Sequence, residues 1–154
     1  MPKFDLVAMG GTFDIIHKGH IALLTRAFSI SSDVIIGLTS DNLAKKRGKI
    51  LLNSYEKRLK TLEKTIQDNF PSSSYQISKL DNDFGPAVLE KGVQALIVSE
   101  ETGRQGDVLN RMRQAKNLDP VDVIVVPMIL AKDGSRISTT RIKNSEIDAE
   151  GNLR

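Results

Sequence analysis

Phe4-Asp5-Leu6-Val7-Ala8-Met9-Gly10-Gly11-Thr12-Phe13-Asp14-Ile15-Ile16-His17-Lys18-Gly19-His20 is the stretch that decides the fold. It opens as an apolar strand, reaches two glycines, and enters a segment where Ile21, Leu24, Ala27 and Phe28 recur at helical spacing. Strand, glycine turn and helix in that order form the first half of a βαβ unit. The glycines allow a tight turn and a close approach of a ligand to the backbone. A helix N-terminus exposes free N–H groups and a positive dipole end, where phosphates bind. His17 and His20 are the chain's only histidines, and three residues apart they share one face of the first helical turn. The loop is not a Walker A motif, because no Gly-Lys-Ser/Thr closes it, and it is not the dinucleotide fingerprint, because Gly-x-Gly-x-x-Gly is absent. The spacing also differs from the i, i+4 histidines of a zinc helix, and the plain alternative to a phosphate site is a pair of capping or core histidines.

Outward from this stretch the pattern repeats. Asp33–Thr39 is an apolar run suited to a strand buried on both faces. Ser54 can cap a helix running to Ile66, with Leu59, Leu62 and Ile66 as its apolar stripe. Strands are predicted at Tyr75–Leu80, Gln94–Val98 and Val121–Val126, and helices at Pro86–Glu90, at Val108–Lys116 and from Ser138 or Thr139. Strands alternating with helices predict an α/β, Rossmann-like domain: a mainly parallel sheet with helices on both faces. Ligands in such folds sit at the C-terminal ends of the strands, so the loops after Met9, Thr39, Val98 and Val126 matter most. The 154 residues suit a single domain over 1–154, with a polar tail from Ser145.

Composition narrows the function. There is no cysteine, which removes disulfides, thiolate metal sites and cysteine nucleophiles. No apolar run approaches a membrane span and no secretory signal is visible, so a cytoplasmic protein without a membrane partner is expected. The net charge of +3 is unevenly spread. Between Ser40 and Lys64 stand eight basic residues (Lys45, Lys46, Arg47, Lys49, Lys57, Arg58, Lys60, Lys64) against Asp41, Glu56 and Glu63. A local positive field suits a polyanion, either nucleic acid or a phosphate-rich small molecule; the plain alternative is a solvated helix face. Only Tyr55 interleaves this segment, which disfavours a single-stranded nucleic-acid platform.

A second motif, Ile137-Ser138-Thr139-Thr140-Arg141-Ile142-Lys143, places three hydroxyls at a helix start. By itself it is a cap; beside a bound triphosphate it is also a phosphate cradle.

The pair His17-x-Gly19-His20 and Ile137-Ser138-Thr139-Thr140 resembles the small nucleotidyltransferases. Within them, three segments look like the archaeal and eukaryotic type of phosphopantetheine adenylyltransferase: Leu96 to Thr102 followed by Gly106, Asn110 and Arg111; Val126 to Gly134; and Asp41 to Lys46. The resemblance implies transfer of the adenylyl group of ATP, accompanied by Mg²⁺, to 4′-phosphopantetheine, with no nucleic-acid partner and a monomer or small homo-oligomer. It implies His20 on the α-phosphate, with Lys45 or Lys46 reaching both phosphates as the other catalytic cations and Arg47 and Lys49 only enriching the field. Gly11, Thr12, Phe13 and His17 would bind ATP, and Ser138, Thr139 and Thr140 would hold its β- and γ-phosphates. Thr12 and Lys45, with Arg104, Arg111 and Arg113 as the candidate arginines, would hold the acceptor. No dedicated protein cage for the metal is visible, and Asp14 is expected to fix the turn through backbone N–H groups, with metal binding as the alternative. Cytidylyltransferases and FMN adenylyltransferases, which share the two motifs, are the nearest alternative.

Overall fold

The computed structural model of the chain describes residues 3–82, 92–99 and 104–127. Among these residues five strands form one parallel sheet: β1 (Phe4–Gly11), β2 (Ser31–Thr39), β3 (Tyr75–Leu80), β4 (Ala95–Ser99) and β5 (Asp122–Val126). The helices among the described residues are α1 (Lys18–Ile30), α2 (Asp41–Lys46), α3 (Tyr55–Asn69) and α4 (Arg104–Ala115). The strand order is β3-β2-β1-β4-β5. The chain therefore winds outward from β1 in one direction and then in the other, and the crevice between the ends of β1 and β4 is the topological switch point.

Strand pleating sends alternate residues to opposite faces. Val7, Met9, Val34, Ile36 and Ile97 pack with Leu24 of α1 and with Leu62 and Ile66 of α3. Ala8, Ile35, Leu96 and Val98 pack with Leu109 of α4 on the other side. Central strands covered on both faces read as continuous apolar runs, which is why Asp33–Thr39 shows no polar alternation. Leu24, Leu62 and Ile66 have no exposed surface. Truncating any of them to alanine costs about 2–5 kcal/mol.

The structure departs from the sequence reading in four places. β1 continues through both glycines, with Gly10 opposite Gly37 and Gly11 opposite Leu38. Residues 41–46, read as a loop, are a short helix capped by Ser40, whose Oγ accepts the Leu43 N–H at 3.0 Å. The buried stripe of α3 is Arg58, Leu62 and Ile66, with Leu59 only partly buried. α4 starts at Arg104, well before Val108, and its Gly106 lies against Val123 of β5, which lets helix and strand close up. The predicted helices at Pro86–Glu90 and from Ser138 lie outside the described residues.

Candidate active site

The chain leaves β1 through a constrained turn. Phe13 has φ 52°, the left-handed region that side chains other than glycine avoid, and its ring is buried. A Cβ on Gly11 would sit 2.9 Å from Phe13 Cε2. The turn's left-handed residue is thus Phe13, while Gly11 supplies room for its ring. Backbone held in this way costs roughly 1–3 kcal/mol and tends to occur at functional sites.

His17 and His20 form a reciprocal cap on α1. His17 is the N-cap, and its Nδ1 accepts the Gly19 N–H at 3.0 Å. His20, three residues on, accepts the His17 N–H on its own Nδ1 at 3.2 Å. This is the geometry of a capping box with imidazoles in place of hydroxyl and carboxylate. The rings stack at 4.0 Å between centroids, and Phe13 leans on His20 at 4.9 Å. A Cβ on Gly19 would lie 2.8 Å from His17 Cε1, so the glycine between the histidines makes space for the capping ring. Because both Nδ1 atoms accept, each neutral ring carries its proton on Nε2. Burial pushes His17 down to about 4. Burial, helped by the neighbouring His17 and Lys49 charges, pushes His20 down to about 3. At neutral pH both rings are uncharged N–H donors held in fixed orientation.

The basic loop divides its cations between the cleft and solvent. Lys45 and Lys46 are the exposed last residues of α2. Gly48 then adopts φ 75°, with Gly48 N–H donating to Lys45 O and Lys49 N–H to Ala44 O, both at 3.0 Å. This Schellman ending turns the chain back toward β1. Lys49 Nζ donates to Thr12 Oγ1 at 3.2 Å. The cleft at the switch point is lined by Gly10, Gly11, Thr12 and Thr39 at the ends of β1 and β2, and by Ser99 and Gln105 across from them. Its cations among the described residues are Arg47 and Lys49, not the expected Lys45 and Lys46.

Asp14 is almost fully buried, and it fixes a more distant segment than its own turn. Its two carboxylate oxygens accept the Leu52 and Asn53 N–H groups, each at 2.9 Å, and Asn53 Nδ2 returns a bond to Asp14 O at 2.8 Å. Arg58, one of the eight cations of the basic segment, is 1% exposed. Its NH1 donates to Thr12 O at 2.9 Å and to Thr39 O at 2.7 Å, its Nε to Asn53 O at 3.2 Å and its NH2 to Asp41 Oδ1 at 2.7 Å. The signal that could have found it is the helical register it shares with Leu62 and Ile66. No three His, Asp or Glu side chains converge on a possible metal position among the described residues.

Of the three candidate arginines, Arg104 starts α4 at the cleft end, beside Gln105. Arg111 is exposed seven residues further along, about 10 Å down the helix. Arg113 is buried, and its Nε donates to Asp119 O at 2.7 Å, just ahead of β5. Since the five described strands are parallel, that is the end of the sheet opposite the cleft, away from Gln105 and Arg104. Ser138, Thr139 and Thr140 lie outside the described residues.

A parallel β3-β2-β1-β4-β5 sheet, with paired histidine donors and a basic loop at its switch point, defines a Rossmann-like nucleotidyltransferase domain. Comparison with known proteins agrees. The family described as cytidylyltransferase-like matches residues 8–145. Phosphopantetheine adenylyltransferase of Pyrococcus abyssi is 42% identical over 156 residues, covering 99% of this chain and 97% of its own. That of Methanothermobacter thermautotrophicus is 38% identical over 151 residues, covering 98% and 90%. The crystal structure of a protein of unknown function from Archaeoglobus fulgidus superposes with a TM-score of 0.70 at 26% identity, over 80% of this chain and 89% of that one. The chain belongs to the cytidylyltransferase-like family and, within it, to the group formed by these archaeal phosphopantetheine adenylyltransferases.

Proposed function

We propose that this protein transfers the adenylyl group of ATP to 4′-phosphopantetheine, yielding dephospho-CoA and pyrophosphate in coenzyme A synthesis. The relatives named above support the substrate pair. The observation that carries the chemistry is the cleft itself, where Lys49 meets Thr12 in the segment that leads from β1 to the stacked histidines.

An oxygen of the acceptor phosphate attacks the α-phosphorus of ATP. A P–O bond forms there as the bond to the bridging oxygen of the β-phosphate breaks, and pyrophosphate leaves with that electron pair. A phosphate monoester is largely dianionic at pH 7 and needs no general base. Catalysis is therefore positioning and electrostatic stabilisation. His20 Nε2–H donates to the α-phosphate as charge builds, and His17 Nε2–H donates further along the triphosphate. Lys49 Nζ, with Arg47 behind it, bridges the acceptor phosphate and the α-phosphate. The Thr12 hydroxyl and the Gly11–Phe13 backbone line the acceptor side, and Arg104, beside the cleft residue Gln105, is the arginine we assign to it. Ser138, Thr139 and Thr140 cradle the β- and γ-phosphates. Mg²⁺ enters with ATP as part of the substrate. Asp14, both of whose oxygens accept backbone N–H groups, holds the Leu52–Asn53 loop against the turn.

Pyrophosphate release is measured with ATP or CTP against phosphopantetheine, FMN and phosphorylated polyols. Release that requires ATP and phosphopantetheine together is the expected result. Turnover with CTP and a polyol phosphate alone contradicts it.

A further inference from the structure

Arg58 is a buried cation that neither substrate can reach, and its hydrogen bonds converge on the rim of the site. Its donors meet Thr12 O in the turn after β1, Thr39 O at the end of β2 and Asn53 O in the loop before α3. These are the three separate segments that must be held together around the cleft. Asp41, half-exposed at the start of α2, is its counter-ion at 2.7 Å. Burying a guanidinium is costly, and a leucine would fill a helix-to-sheet contact without that cost. What a leucine lacks is a planar fork that fixes three carbonyls at once.

We propose that Arg58 is a positioning residue for the phosphate site. It sets the distance between the Thr12 turn and the loop that carries Lys49, in concert with Asp14, which holds the same loop at Leu52 and Asn53. The proposal rests on the adenylyl-transfer reading for its kinetic consequence but not for its structural one. Arg58 acts through Lys49 and Thr12, so its loss lowers turnover by misplacing Lys49. A misplacement of about 1 Å costs on the order of 100-fold in rate.

The test compares the full-length chain with Arg58→Lys, Lys49→Ala and the double variant. Amide exchange at Leu52 and Asn53 is read alongside turnover with ATP and phosphopantetheine. Lysine keeps the charge but cannot span the three carbonyls. Arg58→Lys is expected to exchange those two amides at least tenfold faster and to lose about 100-fold in kcat. The double variant is expected to match Lys49→Ala within about twofold, because coupled residues are not additive. Wild-type exchange at Leu52 and Asn53, or losses that multiply in the double variant, overturns the proposal. If Arg58→Lys does not fold, Asp41→Ala is read by the same exchange and the same non-additivity. Absence of turnover in the wild-type chain refutes the adenylyl-transfer reading alone, and the exchange result then decides the role of Arg58.

Discussion

The Nδ1 of His20 accepts the backbone N–H of His17 at 3.2 Å, while the Nδ1 of His17 accepts that of Gly19 at 3.0 Å. Each histidine therefore spends one nitrogen on the helix cap and keeps the other as a donor. The two functions separate on mutation. His20→Ala is expected to lower kcat by about 10²–10³ with ATP affinity nearly unchanged, as when one donor to a developing oxyanion is removed. Steady-state kinetics with a folded-fraction control checks this. Normal kcat per folded molecule would make His20 structural only.

His17→Ala is expected to lose about 1 kcal/mol of stability, the usual effect of removing an N-cap, and to raise the KM for ATP. His17→Asn, which can cap, is expected to recover the stability but not the KM. Urea unfolding of the two variants makes the distinction, and equal stability of both would contradict the capping role.

Both imidazoles have folded values near 4 and 3, below the ordinary 6.5. Between those values the unfolded chain binds more protons than the folded one. The histidine contribution to stability is thus fully present above pH 6.5 and lost as pH falls toward 4 and 3. Unfolding free energies measured at pH 7.5 and pH 5 are expected to differ more for the wild type than for a His17→Asn/His20→Asn variant. Identical pH slopes would show that the rings are not held neutral by burial.

Gly19 reverses the usual helix rule. Gly→Ala inside a helix ordinarily stabilises by about 0.5–1 kcal/mol. Here the added Cβ would meet the His17 ring at 2.8 Å and displace the cap. Gly19→Ala is expected to lower both Tm and activity, and a raised Tm with full activity would contradict the arrangement.

Lys49 and its neighbours separate position from charge. Lys49→Ala is expected to reduce turnover about 100-fold, the scale of one lost donor to developing charge. Lys45→Ala and Lys46→Ala, on the exposed end of α2, are expected to stay within about threefold. Equal effects at all three positions would mean that the loop contributes only a diffuse field.

Much of the fold was legible because its signals are local. Apolar runs of strand length, Ser54 as a cap and the spacing of Leu62 and Ile66 are read directly from residue order. The histidine pair was legible for the same reason. What escaped depended on direction or on partners far along the chain. The run Lys45-Lys46-Arg47-Gly48-Lys49 looks like one basic patch, yet the left-handed Gly48 ends α2 and sends Lys49 to Thr12 while Lys45 and Lys46 face solvent. Arg58 falls in a segment that reads as a positive field or a solvated face, and Arg113 reads as a candidate for the acceptor phosphate, because the carbonyls that receive them, at Thr12, Thr39 and Asp119, are not marked by any residue type. Phe13 was read as part of a glycine turn because a left-handed phenylalanine has no sequence signature.

The most direct measurement is identification of the product by mass spectrometry after incubating the wild-type chain with ATP, Mg²⁺ and 4′-phosphopantetheine. Dephospho-CoA and pyrophosphate in equal amounts, with no product when CTP replaces ATP, are the expected result. No dephospho-CoA from ATP, or a cytidylylated product from CTP, would contradict it.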